Sequence, residues 1–172
     1  RAHTLAEARE ILGAAAESGL GLKVHADQLS NGGGAKLAAE LGAVSAEHLE
    51  SANTDGIRAL AEAGTVAVSL PLASLYLNER YIAARDMLEA GVRVAVHTDD
   101  YITDSRLFLR MAALAVRAGL PRQQALESVT LAGAEMLDLE QRIGSLTVGK
   151  DADFVVLDGD PLSVYTHVLE TW

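Results

Sequence analysis

Short β-branched runs and helix-spaced apolar segments alternate along this chain roughly every 20 to 27 residues, the period of βα units laid around a parallel sheet. The strand-like runs are residues 22–26, residues 43–46 reaching Glu47 and His48, residues 65–70 stopped by Pro71, and residues 92–96. Helical spacing follows each one, over residues 35–41, from a cap at Thr54 or Asp55 to Gly64, from Tyr81 to about Ala90, and over residues 105–118. A further helix from Thr4 to about Ser18 precedes them, with Thr4 and Glu7 in the form of a capping box. A complete eight-fold barrel needs about 200 to 250 residues, and the chain has 172. Four units make half a barrel.

The rhythm changes toward the C-terminus. Pro121 stands where a first helical residue belongs, a helix runs from there to about Leu137, and turn-and-strand character follows. Residues 153–158 are the clearest strand, with a second over residues 164–171. The fold expected is α/β, with a (β/α) half-barrel over residues 1–143 and a small β element over residues 144–172.

Composition narrows the chemistry. There is no cysteine, so any metal must be held by His and carboxylate. A net charge of -10, with 14 basic residues that form no cluster, argues against a nucleic-acid partner. No apolar run approaches the roughly 20 residues of a membrane span, so no membrane partner is expected. The chain begins at Arg1 rather than Met, with no charged-then-apolar signal segment. It reads as a cytoplasmic protein given as a fragment, a processed chain or a partial reading frame.

Two of the strand-like runs close on metal-binding residue types, Lys23-Val24-His25-Ala26-Asp27 and Val94-Ala95-Val96-His97-Thr98-Asp99. Strand ends are where parallel α/β barrels carry their chemistry. Taken alone, His25 reads equally as a ligand or as a hydrogen-bonded rim histidine, and His48, beside Glu47 and Glu50, as a surface residue. A carboxylate ending a β-rich run, as Asp99 does, needs a partner or a metal. Three βα units delivering His25, His48 and Asp99 to one rim favour a metal site. His97 shares the facing of Asp99 only if the strand stays regular, and His3 and His167 read as surface residues. A catalytic metal takes at least three protein ligands, and the chain has no His-x-His pair to complete the set. Gly32-Gly33-Gly34 lacks the residues of a phosphate loop and reads as a turn into a helix. Ser74 and Ser105 have no base near them in sequence, which argues against a serine hydrolase.

Residues 22–30, followed by Gly33-Gly34-Ala35, Ala38-Ala39, Val44-Ser45-Ala46-Glu47-His48-Leu49-Glu50 and the 64–71 run, resemble the imidazolonepropionases, amidohydrolases of histidine degradation. Val96-His97-Thr98-Asp99 resembles the last barrel strand of the wider metal-dependent amidohydrolase superfamily. Residues 144–158 resemble the segment by which such chains leave the barrel for a small β-sandwich. The resemblance implies barrel strands five to eight of a TIM barrel, with His25 and Asp99 as metal ligands of strands five and eight. It implies that His48 hydrogen-bonds the substrate or the metal-bound water, that Gln28 orients substrate or water, and that Asp99 shuttles a proton. One divalent metal, Zn or Fe, and a small-molecule substrate follow. The reaction implied is hydrolysis of a cyclic amide. The sequence departs from the family after Asp99, where Asp100-Tyr101-Ile102-Thr103-Asp104-Ser105 replaces an Asn-Pro-Gly-like loop.

Two other readings stay open at this point. One keeps the amidohydrolase and changes the substrate, to a dipeptide or a deaminated base. The other is a non-catalytic half-barrel whose open sheet edges take a partner, either another copy in a homo-oligomer or a missing N-terminal half-barrel.

Overall fold

The computed structural model describes residues 3–172. Arg1 and Ala2, which open the first expected domain, lie outside the described residues. The chain forms two compact units, one running to Leu70 and resuming over Ser74–Val94, the other made of Pro71–Ala73 and Ala95–Trp172.

The first unit opens with α1 (Leu5–Glu17), started by the expected capping box. Thr4 Oγ1 accepts from the Glu7 N–H at 3.3 Å, and Glu7 Oε2 accepts from the Thr4 N–H at 2.8 Å. Two otherwise orphaned donors are thereby satisfied. Three parallel strands follow, β1 (Lys23–Ala26), β2 (Ser45–His48) and β3 (Val66–Ser69). Their register pairs Lys23 with Ser45, Ala26 with His48 and Ala46 with Ala67. β4 (Val94–Val96) comes next in the sheet order β1-β2-β3-β4, introduced by the bond from Ala67 N–H to Arg93 O at 2.9 Å.

The sequence predicts a buried strand at residues 22–26, but β1 is an edge of this sheet among the described residues, with Lys23 and His25 exposed. β2 and β3 carry the burial typical of central parallel strands.

Helices α2 (Gly34–Glu40) and α3 (Thr54–Ala63) pack together closely because small residues meet there. A Cβ on Gly56 would lie 3.0 Å from that of Ala35, so the two backbones approach as larger side chains would forbid. The cap of α3 is Asn53, whose side chain accepts from Gly56 N–H, rather than Thr54 or Asp55. Ala26, Ala35, Ala38, Ala46, Leu60 and Met87 lie in the core between sheet and helices. Its alanine content sets helices close to strands. Pro71, expected to end the strand, is also the first residue of α4 (Pro71–Tyr76), a position that suits its missing N–H. α5 (Ala84–Glu89) precedes β4.

In the second unit a 3-10 turn (Ser105–Leu107) leads into α6 (Phe108–Arg117), which packs on α7 (Arg122–Ser128), and α7 on α8 (Leu131–Met136). The single helix expected from Pro121 to Leu137 is thus two, broken at Thr130, where φ is -135° and ψ -88°. Gly144 sits at φ +84° against α8, where a Cβ would come within 2.7 Å of the Ala134 Cβ. β5 (Val155–Leu157) and β6 (Val168–Thr171) pair antiparallel, with Phe154 stacked on Trp172 at 6.3 Å. Among the described residues, no helix is long and apolar enough to cross a membrane.

Candidate active site

Four residues at or just beyond strand ends have left-handed backbones: Asp27 (φ +48°), His48 (+72°), Leu49 (+71°) and Asp99 (+58°). Outside glycine this conformation is uncommon and costs about 1–3 kcal/mol each, and such residues collect at functional sites. Two of the four, His48 and Asp99, are residues the sequence singles out for chemistry.

In the first unit β1 and β2 end side by side, and the His25 and His48 rings stack at 4.1 Å between centroids, tilted by 33°. Gln28 lies on the far side of His25. Its amide oxygen accepts from His25 Nε2–H at 2.9 Å, and its Nε2 donates to Glu79 Oε2 at 3.0 Å. Because an amide oxygen only accepts, a neutral His25 ring carries its proton on Nε2 and its lone pair on Nδ1. The resemblance implies that Gln28 orients substrate or water; in the structure its side chain bridges His25 and Glu79, and Glu79, 51 residues further on, carries no local signal.

Asp27 has a different task. Its Oδ1 accepts from the N–H groups of Gly32 and Gly34 at 2.8 and 3.0 Å, and its Oδ2 from that of Ala35 at 2.8 Å. The donors a phosphate would need are already taken, as the turn reading of the glycines expects. Gly34 is required here, since a Cβ would lie 2.9 Å from the Ala26 Cβ.

His48 is buried, and the left-handed pair His48-Leu49 turns the chain so that Glu50 comes beside it. Glu50 Oε1 lies 3.4 Å from His48 Nδ1 and accepts from Ser74 Oγ–H at 3.0 Å. Glu50 Oε2 is buried with no hydrogen-bond partner among the described residues. Burial pushes the Glu50 carboxyl up, but the His48 ring 3.4 Å away, the Glu50 N–H and the Ser74 hydroxyl outweigh it and hold the carboxyl below its ordinary value. The Ser74 hydroxyl lies 3.0 Å from Glu50 Oε1 and 3.1 Å from Leu70 O. The sequence reading missed Glu50 and Ser74. Glu50 was in view as a neighbour of His48, but its partner is 24 residues away.

In the second unit Asp99 is half-buried at the turn after β4. His97 is exposed, and its Nδ1 accepts from the Asp99 N–H at 3.0 Å, so the ring folds onto its own backbone. Thr98 between them is buried, its carbonyl held by the Thr103 hydroxyl. Asp104 caps the 3-10 turn and pairs with Arg106, whose side chain is the largest cause of an Asp104 carboxyl lowered to about 2. His3 and His167 are exposed, the latter 3.0 Å from Asp158. Among the described residues no three His, Asp or Glu side chains gather closely enough to hold an ion.

The sequence matches the amidohydrolase family over residues 2–172. It is 44% identical over 157 residues to the imidazolonepropionase of Bacteroides thetaiotaomicron, covering 90% of this chain and 38% of that protein. Among solved structures, the adenosine deaminase of Xanthomonas campestris with bound zinc is 27% identical, with a TM-score of 0.75 over 90% of this chain and 40% of its own. The 5-methylcytosine deaminase of Klebsiella pneumoniae, 19% identical, shares the fold with a TM-score of 0.81 over 98% of this chain and 50% of its own. The chain spans about two fifths of the length of the curated relative it matches.

Proposed function

The chain belongs to the amidohydrolase family, and from that premise we propose that it supplies part of the active site of a metal-dependent hydrolase that opens a cyclic amide of the imidazolone type. Residues 1–143 would be the half-barrel carrying strands five to eight, and residues 144–172 the start of a C-terminal β-sandwich. The observation that carries the reading is the stacked His25–His48 pair at two adjacent strand ends, with Gln28 bonded to the first, in a chain 44% identical to an imidazolonepropionase.

His25 and Asp99 are the proposed metal ligands. The donor chemistry of His25 fits: a neutral ring bonded to Gln28 through Nε2–H keeps a lone pair on Nδ1, the arrangement that fixes a ligating imidazole. Two ligands fall short of a catalytic set, so further ones would come from the part of the relatives' length that this chain does not span. Bound there, a divalent ion supplies Lewis-acid polarisation of the carbonyl and acidifies the attacking water. Asp99 would accept the proton of the attacking water and pass it to the leaving ring nitrogen. His48 hydrogen-bonds the substrate, and Gln28 keeps His25 in one tautomer.

The test is hydrolysis by the whole gene product, offered imidazolonepropionate, an Xaa-Pro dipeptide and adenosine in parallel, with and without a chelator. Chelator-sensitive opening of the imidazolone is expected. Turnover of the dipeptide or adenosine alone would keep the family and overturn the substrate; no turnover of any of them by metal-loaded protein would overturn the enzymatic reading.

A further inference from the structure

Beyond the residues that contact substrate or metal, Glu50 and Ser74 form a buried arrangement that the proposed reaction does not use. His48, Glu50 and Ser74 are 5%, 5% and 2% exposed. An ionised carboxylate at such depth is costly unless polar groups face it. Here the groups facing it are a ring nitrogen and a hydroxyl, both on Oε1. The backbone around the pair is pinned: Leu49 N–H donates to Ala26 O at 3.0 Å, Ser51 N–H to Asp27 O at 2.7 Å, and Ser51 Oγ to Gln28 O at 3.0 Å. The left-handed turn at His48-Leu49 is therefore held from β1 and the segment after it.

We propose that Glu50, anchored by Ser74, is a positioning residue that fixes His48 as the Nδ1–H tautomer, leaving the Nε2 lone pair to face the substrate. The reasoning is chemical. A carboxylate accepts and cannot donate, so a neutral ring with Nδ1 turned to it carries its proton on Nδ1. Nε2 is then an acceptor, suited to a ring N–H or a hydroxyl of the substrate and unable to donate to its carbonyl. Ser74 keeps the carboxylate from rotating away; its one hydroxyl proton favours the charged acceptor over Leu70 O, since charge-assisted hydrogen bonds are the stronger kind. Stacking on His25 fixes the ring plane.

The inference rests on the proposed role of His48, but its first test is independent of any substrate. The whole gene product is labelled with 15N in its histidine rings, and long-range proton–nitrogen correlations are recorded at a pH where the rings are neutral, with His48 assigned from its loss in His48→Gln. The expected result is an Nδ1–H tautomer for His48, kept in Glu50→Gln, whose amide oxygen can still accept, and lost to Nε2–H in Glu50→Leu. Ser74→Ala should give a mixture of the two. In the turnover assay, Glu50→Leu should lower kcat/KM about 10- to 100-fold, as removal of a supporting partner typically does, with Glu50→Gln recovering most of the loss. An Nε2–H tautomer in the wild-type protein would overturn the proposal, as would a folded Glu50→Leu with unchanged tautomer. Should Glu50→Leu fail to fold, the wild-type tautomer and Ser74→Ala decide. If the tautomers behave as stated while imidazolonepropionate is not hydrolysed, the positioning role stands and the substrate assignment fails.

Discussion

Replacing Asp27 with Ala separates a structural carboxylate from a metal ligand. Asp27 is 9% exposed and accepts three backbone N–H bonds, from Gly32, Gly34 and Ala35. Hydrogen bonds to a charged group contribute about 1.5–3 kcal/mol each, and a buried donor left without a partner costs about 1–3 kcal/mol. Gly32 is exposed and can turn its N–H to water, whereas Ala35 is fully buried and Gly34 half-buried. The loss should therefore be dominated by Gly34 and Ala35, at about 3–5 kcal/mol for Asp27→Ala, a large part of the 5–15 kcal/mol typical of a domain. Asp27→Asn keeps one oxygen for Gly32 and Gly34 but sets an amide N–H against that of Ala35, and should cost about 2 kcal/mol. Urea unfolding followed by circular dichroism measures the loss, and amide exchange of Gly34 and Ala35 localises it, since local opening there should rise by the same free energy. A cost under about 1 kcal/mol for Asp27→Ala, or one that appears only when divalent metal is added, would refute the assignment of Asp27 to the backbone of this turn.

Two further outcomes are expected. Leu60 is fully buried in the core beneath the sheet, so Leu60→Ala should cost about 2–5 kcal/mol; calorimetry would show it as a lowered Tm, and an unchanged Tm would contradict the described core. Asp104 has its carboxyl lowered from 3.8 to about 2, first by the Arg106 side chain. A depressed carboxyl contributes stability that is fully present above its unfolded value near about 4 and is lost as pH falls through the folded one. Carboxyl 13C titration should thus give a midpoint of about 2 for Asp104, moving toward the ordinary range in Arg106→Leu, while an ordinary midpoint in the wild-type protein would contradict the pairing.

What could be read from the sequence is local. The βα period, the Thr4–Glu7 capping box, the closing Gly64 and the strands that carry His25 and His48 all depend on residues a few positions apart, and the structure carries each of them, whereas β4 stops at Val96 and leaves Asp99 in the turn beyond it. The α3 cap falls on Asn53 because its side chain reaches Gly56 N–H, a choice among three adjacent capping residues that spacing does not decide. The break between α7 and α8 has no glycine or proline to announce it. In the site, the Gln28–His25 contact spans three residues and was within reach of the reading, whereas Gln28–Glu79 spans 51 and Glu50–Ser74 spans 24. Those contacts exist only once the sheet has formed.

Whether His25 belongs to a metal centre of an amidohydrolase is decided by measuring metal content and imidazolonepropionate turnover on one preparation of the whole gene product and of its His25→Ala variant. One divalent ion per chain and turnover are expected in the first, and loss of both in a variant that still folds. A His25→Ala variant that keeps its metal and its turnover would contradict this assignment.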